Sequence, residues 1–297
     1  MYLLELDYLI TALVMLVMLS SLLKEKIRQY FREVLHQKPR QIFLVPIFFI
    51  ILNQWHAGIR NLPTENGIAY ALYLLIPVFL IFMADPKKDS LQIADALIIL
   101  LLWLPFDLRY LQGAWEKLNY QFLSVSASIL GITLFCCFRR LDDVKFNLNI
   151  SKKDILFLAS SFILMASVLI PIGIFLDFLG WNPNYHLIKI LPVAFAISFI
   201  TTALPEELLF RGFLQNLLGK TLKNNWNAVF LTALIFGSAH LDNITGNYGP
   251  PNWRYFIMAS IAGMGYGIAF LRSKSIIVPA ALHALVDVVW GAFLVKA

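Results

Sequence analysis

Pro205-Glu206-Glu207-Leu208-Leu209-Phe210-Arg211-Gly212 places two carboxylates and a guanidinium inside an apolar stretch. An apolar run, 187–204, leads into it. Another, 226–240, follows the polar turn from Gly219 to Asn225. Charged groups are expensive in hydrocarbon, and those kept there face one another or a polar cavity. On a helix Glu207 and Arg211 are four residues apart and meet on one face, so the pair neutralises itself and its burial becomes tolerable. Glu206 points about 100° away from that pair. A carboxylate so placed suits a general base working near neutral pH. The same residues would also serve as a structural ion pair at a helix end, so the neighbouring runs have to decide.

Those neighbours carry imidazole and a further acid. Phe236-Gly237-Ser238-Ala239-His240 closes one run, and His283-Ala284-Leu285-Val286-Asp287 lies in the last. Glu206 and His240 each lie about 20 Å from the turn that joins their segments, at about 1.5 Å per residue. Two antiparallel helices joined there bring them to similar depth, provided the first helix runs on through Arg211 to Leu218. His283 and Asp287 are four apart and share a face. They stand about 12 and 18 Å from the turn at Arg272–Ser275.

Two chemistries suit Glu206, His240, His283 and Asp287. They could ligate a divalent metal such as zinc, which commonly takes Glu and His ligands and keeps a reactive water. Alternatively, Glu206 and His240 activate water directly, while His283 and Asp287 orient a substrate carbonyl or stabilise its oxyanion. Both lead to hydrolysis. There is no HExxH, no GxSxG and no glycine-rich phosphate loop in the chain. Gly263 and Gly267, four apart in an apolar run, read as a surface for close helix packing.

Composition sets the solvent. Of 297 residues, 59% are hydrophobic and only 14% charged, with a mean hydropathy of +0.72. A soluble domain is about 25% charged, so this chain reads as an integral, multi-pass membrane protein, in the cytoplasmic membrane if the host is bacterial. Ten apolar runs stand out: 3–23, 41–54, 67–83, 90–106, 121–138, 155–178, 187–204, 226–240, 256–271 and 275–295. The second is short for a span and reads as interfacial or re-entrant. The expected fold is an all-α transmembrane bundle of about 8–10 spans, with a polar cavity in the C-terminal half. Residues 1–154 form variable N-terminal helices, and 155–297 the functional core.

The net charge of +6 is no sign of nucleic acid. Under strict alternation, 17 of the 24 basic residues gather on one side of the bilayer and five, Lys296 among them, on the other. This places both termini outside. Segment 24–40 has the basic, part-amphipathic character of a helix lying on an anionic leaflet. Glu5 and Asp7 precede the first run where a signal peptide would be basic, so a cleaved leader is not expected. Cys136 and Cys137 are adjacent and read as small buried hydrophobes.

EExxxR, FxxxH and HxxxD, in that order on successive hydrophobic segments, resemble the CPBP family of intramembrane proteases. This is the CAAX protease and bacteriocin-processing, or Abi, family, which includes the type II CAAX prenyl endopeptidases. The resemblance spans about 187–291. It implies that Glu206 is the catalytic glutamate, that Glu207 and Arg211 complete the first motif, and that His240 helps activate water. It implies further that His283 and the residue four on stabilise the oxyanion. Relatives often carry Asn there. Asp287 cannot donate to an oxyanion unless protonated, so it orients His283, sits protonated or binds a metal. The family has been described both as glutamate-type and as metal-dependent.

The expected substrate is a membrane-embedded or membrane-tethered protein or peptide, processed at a CAAX-type end, a C-terminal sorting tail or a peptide precursor. The expected topology sets the site nearer the outer half, which favours an exported or tethered substrate. Two other readings remain: a non-proteolytic scaffold or immunity protein of the same fold, and a transporter using these residues as a polar relay.

Overall fold

A computed structural model describes residues 5–295, except the side chain of Phe106. Lys296 and the start of the 3–23 run lie outside the described residues. The chain divides into two compact units, Met1–Asp142 and Asp143–Ala297. The boundary falls within the polar loop 139–154. Among the described residues regular structure is helical, apart from isolated bridges at Leu179–Val295 and Thr245–Tyr248.

The first unit contains α1 (Leu6–Leu22), α2 (Glu25–Gln37), α3 (Pro39–Arg60), α4 (Thr64–Ile81), α5 (Ile93–Asp107) and α6 (Glu116–Phe138). The basic segment 24–40 does form a helix, α2, which turns 87° from α1. The buried charges of this unit are paired. Asp7 accepts from Arg60 Nε at 2.9 Å and lies 3.0 Å from His56 Nδ1. Arg139 forks onto both oxygens of Asp95 at 3.1 Å. Such pairing makes burial in an apolar unit possible. Cys136 and Cys137 are free thiols with 0% and 1% exposure, as packing residues would be.

The second unit contains α7 (Lys152–Phe175), α8 (Leu191–Leu222), α9 (Asn225–Ser238), α10 (Trp253–Arg272) and α11 (Ile277–Leu294). α7 begins at a capping box, in which Ser151 and Asp154 each accept from the other's backbone N–H. α8 and α9 form the expected antiparallel hairpin. Lys223 takes the left-handed turn at φ 51°, and the Asn224 side chain accepts from the N–H groups of Trp226 and Asn227. At the far end of α10, Lys145 donates to the carbonyls of Phe270, Leu271 and Ser273 at 2.6, 3.3 and 3.1 Å. This closes a helix C-terminus with a cation. Burial pushes that ammonium below the usual lysine range, against the opposing pull of Asp143.

Seven of these helices are long and apolar enough to cross a membrane, or eight if the bent α1–α2 pair is one span. The polytopic all-α class therefore holds, with seven or eight candidate spans where about 8–10 were expected. The 41–54 run, expected to be interfacial or re-entrant, belongs to the 22-residue α3 and is long enough to cross. The runs that fall short are elsewhere: α5 has 15 residues and α9 has 14. At about 1.5 Å per residue, α9 reaches only some 21 Å against a hydrocarbon core of about 30 Å. One face of it packs against α8 and α10, while Trp226, Phe230 and Leu231 stay exposed on the other. With fewer than ten spans, the loop charges no longer alternate as expected, so they do not fix the orientation of the termini.

Gly237 shows how closely α9 meets α10. A Cβ there would lie 2.0 Å from Ser260 Oγ and 2.7 Å from the Phe256 carbonyl oxygen. Because backbone cannot yield as a side chain does, Gly237→Ala is expected to push the two helices apart and cost about 1–3 kcal/mol. Thermal unfolding of the detergent-solubilised variant checks this, and an unchanged melting temperature would contradict the contact.

Candidate active site

α8 carries the first motif, and it is not a uniform α-helix. Phe199–Ala203 and Leu208–Gln215 are π-helical, and the single turn Leu204–Glu207 lies between them. π segments interrupt helices mainly at functional sites. Here they set Glu206 and Glu207 against α11, on opposite nitrogens of one imidazole. His283 Nδ1 bonds Glu207 Oε1 at 2.9 Å, and His283 Nε2 lies 3.8 Å from Glu206 Oε2. Both glutamates lie on the one α-helical turn, about 100° apart, and the imidazole between them meets one with each nitrogen.

Glu207 also accepts from Arg211 Nη1 at 2.8 Å, and both side chains are fully buried. Arg211 Nη2 donates to the Gly263 carbonyl at 3.0 Å, and its guanidinium lies over the rings of Phe236 and Tyr266 at 4.5 and 5.2 Å. One turn on, Gln215 repeats the pattern by donating to the Gly267 carbonyl at 3.2 Å. A Cβ on Gly263 would lie 3.2 Å from Arg211 Nη2. The two glycines thus allow close packing, as their spacing predicts, and also leave their carbonyls within reach of polar side chains on α8.

On α11, Asp287 Oδ1 lies 3.6 Å from His283 Nε2. Its other oxygen accepts from Ser198 Oγ at 3.1 Å. Tyr266 stacks on His283 with centroids 4.5 Å apart and planes 16° off parallel. The His283 side chain is 5% exposed, whereas Glu206 and Asp287 keep 26% and 30%. The buried imidazole is therefore fixed on three sides, and the two carboxylates near its free edge remain accessible.

His240 lies just past the end of α9, in the turn after Ser238, rather than within the helix. Its Nδ1 bonds the Phe236 carbonyl at 2.9 Å. A carbonyl only accepts, so Nδ1 carries the hydrogen, and in the neutral ring Nε2 keeps a lone pair. His240 packs on Phe236 and Tyr255 at 4.9 and 4.7 Å, and Phe236 meets His283 edge-on at 5.7 Å. Glu206, Glu207, Arg211, His283 and Asp287 thus form one ionic cluster. His240 joins it through the Phe236 ring and the wall of a shared cavity.

That cavity has a volume of about 100 Å³ and is lined almost wholly by apolar groups, most of them on α7, α10 and α11. Its polar lining includes His240, His283 and Asp287. Such a space suits an apolar ligand fixed by a few polar groups. Among the described residues, no group of three or more His, Cys, Asp or Glu side chains is arranged to hold a metal ion. Of the four residues offered by the spacing, Glu206 and Asp287 face His283 Nε2 at 3.8 and 3.6 Å, and His240 meets the cluster through the Phe236 ring.

Sequence reasoning missed Ser198 and Tyr266. Ser198 has no motif around it, and Tyr266 looks like any other residue of an apolar run.

The fold and this cluster define a polytopic membrane protein with a buried acid–imidazole site. Residues 188–289 match the family model described as Rce1-like, the type II CAAX prenyl endopeptidase Rce1-like family. The resemblance carried by the three motifs is borne out over that stretch, and the match supports an intramembrane protease function in general terms. No curated protein and no solved structure gave a match.

Proposed function

We infer that the protein hydrolyses a peptide bond of a membrane-embedded or membrane-tethered substrate, using water activated by Glu206 and His240. The observation that carries this reading is the setting of His283, held between two glutamates at the wall of an apolar cavity that His240 also lines. Glu206 takes a proton from water as the oxygen attacks the scissile carbonyl carbon. His240 Nε2 accepts a hydrogen bond from the same water and aims it. Negative charge moves to the carbonyl oxygen, where His283 Nε2–H donates to it. His283 holds protons on both nitrogens, with Glu207 and Asp287 as countercharges. Glu206 then passes its proton to the departing amine as the C–N bond breaks. Arg211 bonds Glu207 and holds it in place, so Glu207 and Arg211 position His283 rather than touch the substrate.

The apolar cavity favours a substrate segment with bulky apolar side chains. No step is routed through a metal. The test is cleavage of a library of membrane-spanning and lipid-tethered peptides by the purified protein in liposomes, with and without a strong chelator. Chelator-insensitive cleavage is the expected result. Activity lost to chelator and restored by a divalent ion would overturn the mechanism and return the four residues to the role of ligands.

A further inference from the structure

We propose that Ser198 is a positioning residue of this site, holding the Asp287 carboxylate so that it faces His283. The proposal rests on the hydrolytic reading above. Ser198 Oγ donates to Asp287 Oδ2 at 3.1 Å, and Asp287 Oδ1 faces His283 Nε2 at 3.6 Å. The terminal torsion of an aspartate is broad and roughly two-fold. A carboxylate that keeps 30% exposure would turn unless one oxygen were tied. Ser198 supplies that tie from the opposite helix.

The path of the helix brings the hydroxyl there. Ser198 is the last residue before the π segment Phe199–Ala203. In a regular α-helix, residues eight apart such as Ser198 and Glu206 diverge by about 80°. A π turn that absorbs one residue leaves about 20°, so both face α11. Thr201, in the same stretch, satisfies its hydroxyl within its own helix by donating to the Ile197 carbonyl at 2.9 Å. That is the usual resort of a helical hydroxyl. Ser198 instead reaches across to α11.

The chemistry gives the contact a purpose. An ionised Asp287 accepts hydrogen bonds and donates none. In the proposed reaction its contribution is therefore directed charge, which keeps His283 doubly protonated and its Nε2–H turned to the developing oxyanion. A carboxylate rotated away would supply less of that charge.

The experiment compares Ser198→Ala and Ser198→Thr, each in the wild type and in Asp287→Ala. Ser198→Ala is expected to lower kcat about tenfold, the worth of one hydrogen bond to a charged group, with KM and melting temperature unchanged. Ser198→Thr keeps a hydroxyl and recovers most of the loss. With Asp287 already Ala, removing the hydroxyl has no further effect. Equal losses in the Ala and Thr variants, or a loss that simply adds to that of Asp287→Ala, would overturn the proposal.

A second readout does not need turnover. The ring 15N signals of His283, assigned by their disappearance in His283→Gln, should move in Ser198→Ala and stay put when Asp287 is already Ala. Signals that ignore Ser198 overturn the proposal whatever the activity. Signals that respond, in a wild type that cleaves no peptide, keep the Ser198–Asp287–His283 link and remove the hydrolytic reading instead.

Discussion

Replacing Glu206 by Gln is expected to lower peptide cleavage by about 10²–10⁴-fold, the range for loss of a general base. KM and melting temperature should hardly change. Gln matches the shape of Glu and can still hydrogen-bond, but it cannot take a proton from water. Glu206 stands 3.8 Å from His283 Nε2 with a quarter of its side chain accessible, and it is Glu207, not Glu206, that bonds the buried Arg211. Its removal therefore strips chemistry without opening the core. The comparison is turnover of one cleaved peptide by both proteins in the same liposomes. A Glu206→Gln protein that cleaves at the wild-type rate would end the assignment of Glu206 as base.

Arg211→Met should do the reverse, with a fall in stability of about 3–5 kcal/mol, typical of breaking a buried ion pair. Met fills much of the volume but leaves the buried Glu207 carboxylate with His283 as its one remaining charged partner. It also removes the bond to the Gly263 carbonyl and the cation over Phe236 and Tyr266. Adding Glu207→Gln should return part of the loss, because the uncompensated charge goes too. Unfolding of the wild type, both single variants and the double variant in one detergent measures this. If the double variant is as weak as the sum of the singles, the ion pair is not the source of the effect.

The polar residues of the cluster were legible because ionisable groups are rare in apolar runs, so each one stands out. Their spacing also gave the α8–α9 hairpin, since Glu206 and His240 lie almost equally far from one polar turn. The His283–Asp287 pair followed from helical period alone. Other features had no such signal. The π segments of α8 arise from how Phe199–Ala203 and Leu208–Gln215 pack, and a string of apolar letters does not encode an extra residue per turn. Ser198 became visible only once that turn was known. Helical period also gave the pairing of Glu207 with Arg211 and set Glu206 apart from it, but not that both carboxylates reach one imidazole on α11. Span number was overestimated because an apolar run too short to cross reads like one that crosses, and the 14 residues of α9 show the difference.

The π segment at Phe199–Ala203 also makes the length of this stretch matter more than its letters. Its side chains can drift among apolar residues of similar bulk. Deleting one residue between Ser198 and Pro205 would let the helix relax to its ordinary pitch and keep Ser198 within about 20° of Glu206, whereas adding one would swing Ser198 about 100° away. Such an insertion would leave every ionisable group of the site in the protein, yet the groups could no longer meet. Over the generations this segment should accept many substitutions and no added residue.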